Sequence, residues 1–122
     1  MSLLGFPPRR PALRTVYRMP CSLYDETDDR DHPLLVVSVD DVTRTARAVT
    51  RTSTYEARGP KPVVHAKHPD LDLDRVGWWR MHILHLVPWT HFADPDVEVL
   101  GTIDEGTWRN VVQALPGTEE TS

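Results

Sequence analysis

The pattern of apolar and polar positions along the chain predicts a series of short β-strands. The most apolar run follows Pro33 and reads Leu34-Leu35-Val36-Val37-Ser38-Val39. Because the run is rich in β-branched residues and lacks helical spacing, it predicts a strand that is buried on both faces. Pro33 fits only at the start of such a strand, where its missing amide donor leaves no gap in the ladder.

A hairpin is predicted from the residues that follow this run. Asp40 and Asp41 indicate a turn, and the alternation over residues 43–51 is typical of an antiparallel return strand. The hairpin would bring His32, before the first strand, to the same end of the sheet as Thr52 and Ser53, after the second. We therefore expect a functional site at that end.

Further strands are predicted along the rest of the chain. Residues 67–74, where leucines alternate with aspartates, fit either an edge strand or an extended loop. Period-two spacing of apolar residues over 77–89 predicts one long strand that Pro88 ends. The shorter predicted strands are residues 14–19, 63–66 and 97–100.

The end of the chain predicts an amphipathic helix. Asp104 is a candidate N-cap with Glu105 in the first turn, and Pro116-Gly117 is a candidate terminator. The apolar positions that fall on one helical face are Trp108, Val111, Val112 and Leu115. Several short strands and one terminal helix predict a mainly β fold, a small and strongly bent barrel with the helix across one opening.

Length and composition predict one domain over residues 14–116, preceded by a proline- and arginine-rich arm (1–13) and followed by a polar tail (117–122). A net charge of −4 argues against nucleic-acid binding by overall charge, so any anion site must be local. The single cysteine, Cys21, favours a reducing compartment, and no stretch is apolar enough to span a membrane. We therefore expect a cytoplasmic protein.

Six histidines raise the question of a metal site. His65 and His68, and likewise His82 and His85, are three residues apart, which would bring each pair together on a helix. On strands the same spacing sends the two side chains to opposite faces. Since strands are predicted at both places, we expect no metal site and no cofactor.

Three stretches resemble the PemK/MazF family of toxin endoribonucleases in order and approximate spacing. Residues 32–38 (His-Pro-Leu-Leu-Val-Val-Ser) resemble its Arg-Pro-apolar run ending in Ser, and residues 49–53 (Val-Thr-Arg-Thr-Ser) resemble its strand ending in Thr-Thr or Thr-Ser. Residues 100–105 resemble its Gly-x-apolar approach to the last helix. The resemblance implies an SH3-like β-barrel, usually a homodimer, that cleaves single-stranded RNA without metal and is silenced by a cognate antitoxin protein.

One departure from the family pattern affects the expected chemistry. The family's catalytic arginine before the proline is His32 here, and Arg30 lies two residues upstream. Histidine can transfer protons near neutral pH but lacks the fixed charge and bidentate fork of arginine. The expected catalytic residues are His32, Thr52, Ser53 and Arg30, and the expected RNA-binding residues are Arg51, Lys61, Arg80 and His82. The alternative is a catalytically inactive barrel that binds a protein or a nucleic acid.

Overall fold

The structure, a computed structural model, describes residues 10–25, 30–55 and 61–115. Its strands are β1 (Thr15–Arg18), β2 (Pro33–Asp40), β3 (Thr45–Thr52), β4 (Val63–His65), β5 (Gly77–Trp79), β6 (His85–Pro88) and β7 (Glu98–Thr102). Its helices are the single turn α1 (Trp89–Phe92) and the terminal α2 (Glu105–Ala114), with 3₁₀ turns at Cys21–Leu23 and Pro69–Leu71. The predicted mainly β fold with a C-terminal helix is confirmed.

The predicted hairpin is the centre of the sheet. Strands β2 and β3 pair in antiparallel register, with Leu34 opposite Thr50 and Asp40 opposite Thr45. The Asp40 carboxylate accepts hydrogen bonds from the backbone N–H groups of Val42 and Thr43 at 2.9 and 3.1 Å, which fixes the turn. Pro33 is the first residue of β2, as predicted.

The sheet bends because β3 has two different partners along one edge. Its first half pairs with β6 and its end pairs with β5, while its other edge pairs with β2. The strand order is β4-β5-β3-β2-β1-β7, with β6 beside β3. This path runs from β4 to β7 without closing, so the described strands form a bent, open sheet of seven strands rather than a closed barrel.

Strand β2 separates two hydrophobic clusters. Leu35 and Val37 belong to one cluster, and Leu34 and Val36 belong to the other. The first cluster also holds Trp79, Met81, Ile103 and Val111, and the second holds Tyr17, Met19, Val87 and Phe92. Burial on both faces, expected from the apolar run, is therefore confirmed, and each such Leu or Val contributes about 1.5–3 kcal/mol by leaving water.

Two predicted strands differ in the structure. Residues 77–88 form two strands, β5 and β6, separated by a turn, and Trp89 begins α1, so the prediction of one strand is wrong. Arg80 directly follows β5 and remains bonded to β3, because its N–H donates to Thr50 O and its guanidinium donates to Thr50 Oγ1. Residues 67–74 hold a 3₁₀ turn with Leu71 and Leu73 buried, rather than an edge strand or an extended loop.

Helix α2 begins as predicted. Asp104 is its N-cap, and Oδ2 accepts hydrogen bonds from Thr107 N at 2.9 Å and Thr107 Oγ1 at 2.8 Å. Val111 is buried in the first cluster, and Trp108 and Leu115 pack against that cluster. The predicted terminator, Pro116-Gly117, lies outside the described residues, as does the polar tail.

The described end of the N-terminal arm contacts the body of the protein. Arg10 pairs with Asp41 at 2.8 Å, and its guanidinium carbon lies 5.9 Å from the centre of the Trp89 ring. The N–H of Ala12 donates to the Tyr17 hydroxyl at 2.9 Å. None of the helices in the described ranges has the length and apolarity needed to cross a membrane.

Candidate functional site

A cleft of about 400 Å³ lies at the end of the β2–β3 hairpin that holds the predicted site. All four residues predicted to be catalytic, His32, Thr52, Ser53 and Arg30, line it. They meet because His32 directly precedes β2 and Thr52 ends β3, so the antiparallel register brings the two strand ends together.

Two hydrogen bonds hold His32 in the cleft. Its backbone N–H donates to the Tyr24 hydroxyl at 2.9 Å, and its Nδ1 lies 3.1 Å from the carbonyl oxygen of Arg51. Since a carbonyl oxygen only accepts, Nδ1 must carry a proton in this contact. In the neutral ring with this tautomer, Nε2 is the unprotonated nitrogen, the form that a general base requires.

Hydroxyl groups form the opposite part of the cleft. Thr52 Oγ1 accepts a hydrogen bond from the N–H of Thr54 at 3.1 Å, which leaves its hydroxyl proton available to a ligand. Ser53 and Thr54 follow in an exposed bend and also line the cleft. Three adjacent hydroxyls can therefore donate to the oxygens of an anion such as phosphate.

Charged side chains of both signs line the cleft. The arginines are Arg18, Arg30, Arg51 and Arg75, and the aspartates are Asp31, Asp72 and Asp74. Arg18 is paired with Asp72 and with Glu98, both at 2.8 Å, so its charge is partly neutralised. With four arginines against three aspartates, the lining carries a formal excess of one positive charge before His32 is considered.

Arg51, an expected RNA-binding residue, has a buried side chain that bonds to the protein itself. Only 5% of the residue is exposed, and its guanidinium donates to His65 Nδ1 at 3.1 Å and to the carbonyl oxygens of His65, Ala66 and Arg75. Burial lowers the pKa of Arg51, and the charge of Asp74 opposes this shift. The Arg51 side chain thus ties the end of β3 to two neighbouring loops.

The other three predicted RNA-binding residues do not line the cleft. Lys61 is exposed in a separate groove beside α2. Arg80 is half-buried and donates through both Nε and Nη2 to Thr50 Oγ1. His82 is half-buried in the turn between β5 and β6. None of the three therefore contributes to the lining of the cleft.

A second group of polar side chains was not predicted from the sequence. His65 ends β4 and His68 immediately precedes the 3₁₀ turn, so the chain changes direction between them and their rings meet with centroids 5.4 Å apart. The expectation that they lie on opposite faces is therefore wrong. Asp104 joins them from the start of α2, and one candidate ligand atom from each residue lies within 4.8 Å of the others.

His65 and Asp104 differ in burial and in the cause that lowers their pKa values. His65 is 2% exposed, and burial, aided by the nearby charge of Arg51, lowers its pKa to about 4. Burial raises the pKa of Asp104, but hydrogen bonds from Thr107 and the proximity of His65 outweigh that effect and leave the pKa below its usual value. At neutral pH the group therefore holds a neutral His65 beside an ionised Asp104.

No model of a known protein family matches the chain, and no curated protein matches it. The likeness to the PemK/MazF toxins consequently rests on the three short stretches and on the order of the elements that carry them.

Proposed function

We propose that the protein is a toxin-like endoribonuclease of a toxin–antitoxin system that cleaves single-stranded RNA, without a metal ion, in the cleft at the end of the β2–β3 hairpin. The observation that supports this most directly is the convergence of His32, Thr52, Ser53 and Arg30 on one open cleft. In the sequence these residues are divided between two stretches about 20 positions apart.

The chemistry would use each group in a distinct role. His32 Nε2 accepts the proton of the ribose 2′-hydroxyl as its oxygen attacks phosphorus, and the bond from phosphorus to the 5′-oxygen breaks to leave a 2′,3′-cyclic phosphate. A water molecule supplies the proton to the 5′-oxygen, and His32 returns its proton to the solvent. The Thr52 and Ser53 hydroxyls and the Arg30 guanidinium stabilise the negative charge that develops on the phosphate oxygens. None of these steps needs a cation other than those of the side chains.

The partners follow from the family resemblance and belong to the same proposal. They are single-stranded RNA as substrate, a cognate antitoxin protein as inhibitor and a second copy of the chain as the other half of a homodimer. The expected location is the cytoplasm, in keeping with a single cysteine, Cys21.

The alternative proposal is a catalytically inactive module that binds a protein or a nucleic acid. It is favoured by two observations: His32 stands where the family has arginine, and three aspartates line the cleft among the arginines. Those carboxylates, Asp31, Asp72 and Asp74, weaken the attraction for a polyanion.

The two proposals are separated by an RNA cleavage assay with the purified protein in the presence of EDTA. We expect the wild type to cut single-stranded RNA, His32→Ala to lose about 100-fold or more in rate and Thr52→Ala to lose about tenfold. Thr43→Ala removes a hydroxyl from the far end of the same hairpin and should cleave like the wild type.

Equal cleavage by all four proteins would exclude His32 and Thr52 from the mechanism and indicate a contaminating nuclease. An intact RNA pool with the wild type, combined with tight binding of RNA or of a protein partner, would support the inactive module instead.

A further inference from the structure

The group formed by His65, His68 and Asp104 places one candidate ligand atom from each residue in the same small region. His65 Nε2 lies 3.2 Å from Asp104 Oδ1 and 3.3 Å from His68 Nδ1, and His68 Nδ1 lies 3.8 Å from Asp104 Oδ1. The three atoms thus form a compact triangle of two imidazole nitrogens and one carboxylate oxygen.

The size of this triangle matches one face of a tetrahedral zinc site. Zinc binds nitrogen and oxygen at about 2.0–2.1 Å, so two ligand atoms of a regular tetrahedron are about 3.3–3.4 Å apart. Two of the three observed separations lie within about 0.2 Å of that value, and the third exceeds it by about 0.4 Å.

The carboxylate is already oriented for such a role. Asp104 Oδ2 accepts hydrogen bonds from the backbone and the hydroxyl of Thr107, which leaves Oδ1 directed at the two rings. Outer contacts of this kind hold a metal-binding carboxylate in place and are a regular part of metal sites.

The space beside the three candidate ligand atoms is open. His65, His68 and Asp104, together with Ala66, Lys67 and Thr107, line a shallow cavity of about 260 Å³. A cation bound to the three ligands would therefore keep a position for water or for an anionic ligand, as zinc sites with three protein ligands do.

We propose that His65, His68 and Asp104 form a binding site for one divalent transition-metal ion of the zinc class. Two imidazoles and one carboxylate suit zinc, cobalt or nickel, whereas calcium and magnesium require mostly oxygen ligands. The site joins the end of β4 to the start of α2 and shares no lining residue with the proposed nuclease cleft, although Arg51 contacts both. The two sites consist of different residues, so neither proposal needs the other.

Metal binding requires a change of tautomer at His65. In the structure His65 Nδ1 accepts the N–H of Arg51, so the ring proton resides on Nε2, the atom that faces Asp104. A neutral imidazole that binds a cation through Nε2 carries its proton on Nδ1, so binding breaks the hydrogen bond from Arg51 Nε to His65.

The test is zinc titration of the purified, metal-stripped full chain by isothermal calorimetry. We expect one saturable site per chain in the wild type, with affinity reduced at least tenfold in His68→Ala and in Asp104→Asn. Asparagine retains a side-chain oxygen that can cap α2, and His68 is partly exposed, so both variants should keep the fold. His82→Ala, which removes a histidine outside the group, is the matched control and should bind zinc like the wild type.

A second measurement tests the geometry on the wild type alone. Cobalt(II) should produce the intense visible absorption of a tetrahedral complex, and an equimolar amount of zinc should abolish it. The proposal fails if zinc shows no saturable binding, if His68→Ala and Asp104→Asn bind as tightly as the wild type, or if cobalt gives only the weak spectrum of its hydrated ion. Nuclease activity is not a readout here, so loss of the proposed function would leave the result unaffected.

Discussion

Replacing Gly77 with alanine should destabilise the protein, because the added methyl group would occupy the space of the Arg51 guanidinium. An ideal Cβ on Gly77 would lie 2.6 Å from both Cζ and Nη1 of Arg51 and 2.9 Å from its Nε. The guanidinium is the end of a long side chain, but it is buried and held by His65 Nδ1 and by three carbonyl oxygens. It therefore cannot move without losing hydrogen bonds.

The cost follows from those contacts. Ordinary separations between nonbonded heavy atoms are about 3.5–4.0 Å, so the guanidinium must retreat by about 1 Å. The shortest bond, 2.8 Å from Nη2 to Arg75 O, is the most sensitive to such a shift. Losing one or two charged hydrogen bonds costs about 1.5–3 kcal/mol each, and alanine returns about 0.4–1 kcal/mol through the unfolded chain. These ranges give a net loss of about 0.5–5.5 kcal/mol in the free energy of unfolding, and we expect a value near the middle, about 3 kcal/mol.

Urea unfolding followed by tryptophan fluorescence measures this change. Gly106→Ala is the matched control, since the nearest atom to its new Cβ is Asp104 Oδ2 at an ordinary 3.7 Å. Gly106 lies inside α2, where alanine should raise the stability by about 0.5–1 kcal/mol. The same substitution is thus expected to act in opposite directions at the two glycines.

A double-mutant cycle completes the test. In an Arg51→Met background the guanidinium is absent, so Gly77→Ala should cost much less than in the wild type. Two results would refute this reasoning: an unchanged urea midpoint for Gly77→Ala, or an equal loss of stability in the Arg51→Met background and in the wild type. Either would show that the Arg51 guanidinium is not the reason why position 77 requires glycine.

Three further results are expected. The folded state holds the pKa of His65 at about 4 against an ordinary 6.5. The free energy of unfolding should therefore be constant above about pH 6.5 and fall by up to about 3 kcal/mol as the pH drops to 4. An NMR titration of the His65 ring with a midpoint near 6.5 would contradict this. Gly101 has φ +142°, and an added Cβ would lie 2.6 Å from Leu71 Cδ2. Gly101→Ala should therefore lower the free energy of unfolding by about 1–3 kcal/mol, measured by thermal unfolding. An unchanged melting temperature would show that β7 and Leu71 adapt to the methyl group. Asp104→Ala should cost about 1 kcal/mol through loss of the N-cap while Asp104→Asn costs less; equal losses would assign the effect to charge rather than to capping.

The hairpin and the start of α2 could be predicted because their determinants are local. Pro33 and the apolar run after it decide where β2 begins and that both of its faces are buried, and Asp104 with the spacing of Trp108 and Val111 decides where α2 begins. The meeting of His32 with Thr52 follows from the hairpin alone.

The remaining features depend on contacts between distant parts of the chain. Alternation continues through the turn that separates β5 from β6, and no glycine or proline marks that turn in the sequence. Arg80, directly before the turn, bonds to Thr50, which lies 30 residues earlier in the chain. The expectation that Arg51 binds RNA does not anticipate its burial, because its guanidinium bonds to the carbonyl oxygens of His65 and Arg75, which are 14 and 24 residues away. Asp104 reaches the two histidines only through tertiary packing, so residue spacing contains no indication of the group.

The position of β2 between the two clusters has a consequence for how the protein loses its structure. Each face of this strand belongs to a different cluster. If β2 leaves one cluster, it must therefore leave the other as well, and both clusters open together. The molecule should therefore unfold as one cooperative unit, and the amide protons of β2 should be among the last to exchange with deuterated solvent.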